Sequence, residues 1–239
     1  MMHLCQANGL PAPDAPSQQR IGVSPRPAAR RYELGSDPGR RIAVLISGRG
    51  SNLQAVIDAV AQGRLDAEIA VVVSNRAGAA GLDRARAAGI ETLTIPHRDY
   101  PTREAFEEVL VRELRARRVS LVCLAGFMRL LGPTVLDAFP NAVLNIHPSL
   151  LPSFPGVDAQ TQALEHGVKI AGVTVHFVTG ELDGGPIVRQ SAVPVQDDDT
   201  PETLAARILE EEHRIFPQAI GLVLDGGWRI EGRRFRRSP

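Results

Sequence analysis

The run Ile42-Ala43-Val44-Leu45-Ile46-Ser47, followed at once by Gly48-Arg49-Gly50-Ser51-Asn52 and a segment of helical period over 52–62, decides the fold class. Six consecutive residues without polar alternation suit a strand covered on both faces, which is the habit of parallel sheets. Similar short runs recur at Ile69–Ser74, Ser120–Ala125 and Ala142–Ile146, with helical periods over 79–88 and 103–117 between them. Strand, helix, strand, repeated, predicts a doubly wound α/β half with a mostly parallel sheet flanked by helices.

Downstream the pattern changes. Ala171–Thr179 and Pro186–Val195 read as an extended pair joined through Gly180–Gly185. Thr200 and Pro201 then supply an N-cap and a first-turn proline for a long helix to about Leu224. Upstream, residues 1–40 hold six prolines and no amphipathic period, so a flexible leader is expected there. The reading is a single catalytic domain over 41–232, with the arginines of 233–239 as a short solvated basic tail.

Composition removes several classes of function. The 239 residues carry 27 basic and 27 acidic side chains, and that zero balance argues against a dedicated nucleic-acid binder. The balance is uneven: Arg20, Arg26, Arg30, Arg31, Arg40 and Arg41 stand against Asp14, Glu33 and Asp37 at the start. No apolar stretch approaches the roughly 20 residues of a bilayer span. The two cysteines, Cys5 in a polar leader and Cys123 in an apolar run, form neither a disulfide framework nor a metal-ligand spacing.

Chemistry concentrates at two places. Gly48–Asn52 lets the backbone approach a ligand and opens a helix whose first N–H groups can seat a phosphate. Leu53 stands where a dinucleotide fingerprint needs glycine, and no Gly-Lys-Ser/Thr follows. The same residues also suit a plain strand–helix turn with an asparagine cap. Asn145 and His147, two apart in extended chain, project from one face at a strand's C-terminal end, where open α/β sheets bind ligands. Pro148 favours extended geometry at His147. A carboxamide beside an imidazole suits an oxyanion and a moving proton; a strand-end cap and a packed histidine are the alternative.

Four motifs in order, Ser47-Gly48-Arg49-Gly50-Ser51-Asn52, Leu124-Ala125-Gly126-Phe127-Met128-Arg129, Leu144–Pro152 and Glu181-Leu182-Asp183-Gly184-Gly185-Pro186, resemble the folate-dependent formyltransferases from about Arg41 to Gly227. Within that family they are most similar to the branch that formylates glycinamide ribotide in purine synthesis. The resemblance implies 10-formyltetrahydrofolate as co-substrate, 5-phosphoribosylglycinamide as acceptor, no metal and a cytoplasmic enzyme, with a homodimer left open. Gly50, Ser51 and Asn52 would hold the phosphate, and Gly126, Pro148 and Glu212 the sugar and glycinamide. Arg103 and Met128, Arg129, Leu130 and Leu131 would line the folate site. Asn145 would donate to the formyl oxygen, His147 would act as general acid, and Asp183 would hold that imidazole. Asn145 and the loop Thr179–Gly184, with Glu181, Leu182 and Asp183, would close around the folate.

Helical geometry tests one of these roles. With Leu204 at zero and ~100° per residue, Glu212 falls near ~80°, inside the apolar arc of Ile208, Ile215, Ala219 and Val223. A carboxylate there needs a partner, either a substrate amine or hydroxyl or a neighbouring cation. Leu209 departs from the polar residue some family members place near the ribotide. His97 and His166 read as surface groups, His176 as packed or behind the site, His213 as an edge residue of the long helix, and Asp197–Asp199 as a solvated turn. Two relatives share the motifs with other acceptors. Methionyl-tRNA formyltransferases carry a further C-terminal barrel, for which the 12 residues after Gly227 leave no room, and formyltetrahydrofolate hydrolases carry an N-terminal regulatory domain. A non-catalytic nucleotide-binding module is the remaining rival on fold alone.

Overall fold

Ile42 to Ile46 have no exposed surface at all, and that strand lies in the interior of the sheet. The computed structural model describes residues 39–237. The expected leader and Cys5 therefore lie outside the described residues, apart from Gly39 and Arg40.

Among the described residues nine strands form one sheet: β1 (Arg41–Ile46), β2 (Glu68–Ser74), β3 (Thr92–Thr94), β4 (Leu121–Leu124), β5 (Val143–His147), β6 (Ile170–Phe177), β7 (Ile187–Pro194), β8 (Trp228–Glu231) and β9 (Arg234–Arg237). Their order is β3-β2-β1-β4-β5-β6-β7-β9-β8. The first five run parallel, as the unalternating runs predict, and β6 and β7 are the antiparallel extended pair. The helices are α1 (Ser51–Ala61), α2 (Gly81–Ala87), α3 (Arg103–Ala116), α4 (Pro133–Ala138), α5 (Ala159–Glu165) and α6 (Pro201–Leu224). From β1 the chain winds outward through β2 and β3, then returns to β4 on the other side of β1. That reversal makes the C-terminal ends of β1 and β4 the switch point, and Ser47 N–H bonds Gly126 O across it at 3.0 Å.

α6 begins as its sequence requires. The Thr200 hydroxyl accepts from Thr203 N–H, the Thr203 hydroxyl accepts from Thr200 N–H, and Pro201 occupies the first turn. Its apolar stripe, Leu204, Ile208, Ile215, Ala219 and Val223, is fully buried against α1, β6 and β7.

Three readings of the sequence are corrected here. Arg234–Arg237 are a sheet strand: β9 pairs with β8 and touches β7 through Ile187 and Arg234, while Arg234, Arg236 and Arg237 keep their side chains exposed. A run of arginines hides a strand because only Phe235 turns inward, onto Trp228 at 5.5 Å. Asp199 is not simply a solvated turn residue: it accepts both Arg207 guanidinium nitrogens, the Thr203 hydroxyl and Gln196 N–H. Those donors drive its carboxyl far below the ordinary range, the Arg207 contact foremost. His97 is half-buried, and its Nδ1 lies 3.1 Å from the Asn75 amide.

Candidate active site

The glycine loop is built by steric necessity. Gly50 has φ of 70°, and a Cβ on it would lie 2.6 Å from the Gly81 Cα, so α2 packs directly on the loop. Gly81 N–H secures that approach by donating to Gly48 O at 3.0 Å. Gly50 is also the N-cap of α1, and no side chain caps that helix. The first-turn N–H groups of α1, beginning with Ser51 and Asn52, are thereby left for an anion, and no acidic residue stands in the first turn. The asparagine-cap alternative is not what forms. The Asn52 amide instead donates to Glu212 Oε2 at 2.5 Å, which engages its side chain inside the protein.

Glu212 is 8% exposed on the inward face of α6, as its helical angle predicts. Burial raises its pKa, and the Asn52 donor only partly offsets that. The partner found is this amide, not a cation, and the Asn52 Oδ1 beside it is buried without a hydrogen bond. Gly126, with φ of 76°, and Pro148 stand on the loops that leave β4 and β5.

Asn145 and His147 do share a face of β5, and antiparallel pairing sets His176 of β6 opposite Asn145. Asp183, with φ of 49°, turns its carboxylate between the two imidazoles: Oδ2 is 3.5 Å from His147 Nδ1 and Oδ1 is 3.5 Å from His176 Nε2. Gly156 N–H donates to Oδ2 at 2.8 Å. Burial acts first, pushing the Asp183 carboxyl up. The His176 and Gly156 hydrogen bonds and the charge of the two imidazoles outweigh it and leave the pKa below the ordinary value.

Carbonyl partners fix the ring protons. Phe154 O lies 2.9 Å from His147 Nε2 and Phe177 O lies 2.9 Å from His176 Nδ1, and a carbonyl can only accept. In the neutral ring His176 Nε2 can accept from the Asn145 Nδ2 at 3.2 Å, which orients the carboxamide, whereas in the charged ring the same Nε2–H faces Asp183 Oδ1. A second proton on His147 must sit on Nδ1, against Asp183. His176, read from sequence as packed or behind the site, is therefore a direct neighbour of two site residues. Its position follows from β5–β6 register, which no motif announces; Phe154 and Gly156 were missed because the fold of the loop after β5, equally unannounced, brings their backbone groups to His147 and Asp183.

On the other side of the switch point, Met128 and Leu130 are 61% and 63% exposed and Arg129 is exposed, whereas Leu131 is 6% exposed and offers a ligand mainly its backbone. Arg103 begins α3 and lies over Gly132. Glu181 and Leu182 are exposed on the loop before Asp183. Leu209, His213 and His166 stay outside the Asn145–Asp183 cluster, with His166 exposed. Cys123 is wholly buried in β4, which pushes its thiol pKa up. Among the described residues no group of three or more His, Cys, Asp or Glu is placed to hold a metal ion.

A doubly wound sheet with an anion seat at its switch point, beside a carboxamide, two imidazoles and a carboxylate, is the site of a group-transfer enzyme. A family model described as formyl transferase matches residues 40–220, and the chain belongs to the formyl transferase family. It is 46% identical over 185 residues to the phosphoribosylglycinamide formyltransferase of Escherichia coli (strain K12), covering 77% of this chain and 87% of that protein. The Bacillus subtilis (strain 168) protein of the same name is 41% identical, with 77% and 95% covered. A crystal structure of glycinamide ribonucleotide transformylase 1 from Symbiobacterium toebii superposes with TM-score 0.82 and 58% identity, covering 83% of this chain and 94% of that one. The trifunctional purine biosynthetic protein adenosine-3 of Drosophila pseudoobscura pseudoobscura is 49% identical, but the chain spans only 16% of its length.

Proposed function

We propose that the chain transfers the formyl group of 10-formyltetrahydrofolate to the amine of 5-phosphoribosylglycinamide, a step of purine biosynthesis. The observation that carries this reading is the meeting of Asn145, His147 and Asp183, with His176, at one end of the sheet beside the α1 anion seat. The names borne by the Escherichia coli and Bacillus subtilis relatives, which the chain covers almost end to end, support the same acceptor.

The amine attacks the formyl carbon and the carbonyl pair moves onto oxygen. One Asn145 amide hydrogen is held by His176, and the other is available to that oxyanion. The attacking nitrogen then sheds one proton and the folate nitrogen gains one as its bond to carbon breaks, so the balance is neutral. His147 serves that exchange: an imidazolium is stabilised with Asp183 facing Nδ1, and the neutral ring keeps its Nε2 proton on Phe154 O. The α1 N-terminus seats the ribotide phosphate and Glu212 meets its glycinamide or sugar. Such an enzyme works on small molecules in the cytoplasm; among the described residues no helix is long and apolar enough to cross a membrane.

The test is direct. Purified chain incubated with both substrates should yield formylated ribotide and deformylated folate in equal amounts. Release of formate without any acceptor requirement would instead indicate a hydrolase, and no turnover a binding module. Asn145→Ala should lower kcat by about 10²–10³, and His147→Ala by about 10²–10⁴. Either variant turning over at the normal rate while folded would refute its assigned role.

A further inference from the structure

The segment Gly126–Gly132, which joins β4 to α4, carries its exposed apolar side chains on a backbone held by buried polar groups. At one end Ser47 Oγ accepts Met128 N–H at 2.8 Å and itself donates to Asn75 Oδ1 at 2.6 Å. At the other, Gly132 N–H donates to Glu107 Oε1 at 2.6 Å. Glu107 sits on α3 with its side chain 1% exposed, and its Oε2 has no hydrogen-bond partner among the described residues. A half-satisfied carboxylate is an expensive way to hold one amide, because burying a charge costs far more than burying a neutral acceptor.

Arg103 gives it a second task. A Cβ on Gly132 would lie 3.0 Å from Arg103 Cζ, Nε and Nη2, so the guanidinium rests on the surface that the missing side chain leaves open. Its carboxylate neighbours, Glu104 Oε1 and Glu107 Oε1, both stand at 3.7 Å, too far for hydrogen bonds. Among the described residues the Arg103 side chain donates no hydrogen bond. It is held in place by charge and packing, with its planar set of donors open to a carboxylate.

We propose that Glu107 is the positioning residue for the folate half of the site. Through Gly132 it fixes the Met128–Leu131 backbone, and through its charge it holds Arg103 over that backbone to receive a carboxylate of the co-substrate. This rests on the reading of the chain as a folate-dependent formyltransferase.

The experiment compares kcat and both KM values for the wild type, Glu107→Ala, Glu107→Gln and Gly132→Ala, with calorimetric binding of an unreactive folate analogue. Loss of a buried hydrogen bond to a charged group predicts a folate KM and analogue Kd raised roughly tenfold or more in Glu107→Ala. The ribotide KM and kcat at saturation should stay put. Glu107→Gln keeps an acceptor for Gly132 and should show a smaller rise. Gly132→Ala displaces only the far end of Arg103, so it should fold normally and still weaken folate, which keeps the test alive if Glu107→Ala fails to fold. Unchanged folate KM in Gly132→Ala and Glu107→Gln, or an equal rise in both KM values, would overturn the proposal. If the wild type transfers no formyl group, the functional reading fails. Analogue binding then still judges Glu107, since a wild type that binds the analogue no better than the variants overturns it.

Discussion

Glu212 shows what a single residue contributes and costs. Its carboxylate is buried on α6 with one amide donor, so the proton is held more tightly in the folded chain than in the unfolded one. Between the ordinary carboxylate value and the raised one, the folded state binds more protons, and stability falls as pH rises through that window. Glu212→Gln keeps an acceptor for Asn52 and removes the charge. Its Tm should exceed that of the wild type at pH 7, the difference should close as pH drops below about 4, and ribotide KM should rise. A Tm difference independent of pH would mean that folding does not raise the Glu212 pKa. The residue's inward face was legible, because one angle per residue along a helix needs no tertiary knowledge. That Asn52 would spend its side chain on Glu212, not on a ligand, was not legible, since the two are joined only by packing of α1 on α6.

Among the elements, the loop between β1 and α1 is the most constrained. Gly50 combines left-handed backbone with a contact that leaves no room for Cβ against Gly81. Gly50→Ala should therefore lose about 1–2 kcal/mol to backbone strain and a further ~1–3 kcal/mol to overpacking against α2. Because the loop is also the anion seat, ribotide KM should rise well beyond folate KM. A variant with wild-type melting and wild-type ribotide KM would show that the loop neither needs glycine nor touches the phosphate. The elements around this loop could be read from sequence because β1, β2, β4 and β5 are covered on both faces and leave unbroken apolar runs. β3, with three half-buried residues, and the short α4 and α5 leave no such period. In the site, Asn145 and His147 announced themselves by their spacing on one strand. His176 and Asp183 met them only through the antiparallel turn-back of β6 and its following loop.

Across the whole molecule, one core runs from the parallel half to the C-terminal hairpin. Phe177, fully buried at the end of β6, lies 5.3 Å from Trp228 and 5.9 Å from Phe235, and Trp228 Nε1 donates to Val223 O of α6 at 2.9 Å. The strand that positions His176 is thus packed against the hairpin whose second strand the sequence disguised as a basic tail. Trp228 is the chain's single tryptophan, so its fluorescence reports on this junction alone. If the hairpin belongs to the core, thermal unfolding followed by that fluorescence and by far-UV circular dichroism should coincide. Phe177→Ala should lower stability by about 3–5 kcal/mol. At ~2–4 °C per kcal/mol for a domain of this size, the two signals should shift together by roughly 6–20 °C. A fluorescence transition that precedes the loss of secondary structure would make the hairpin a separate unit, and β6 would then owe its placement to α6 and β5 without it.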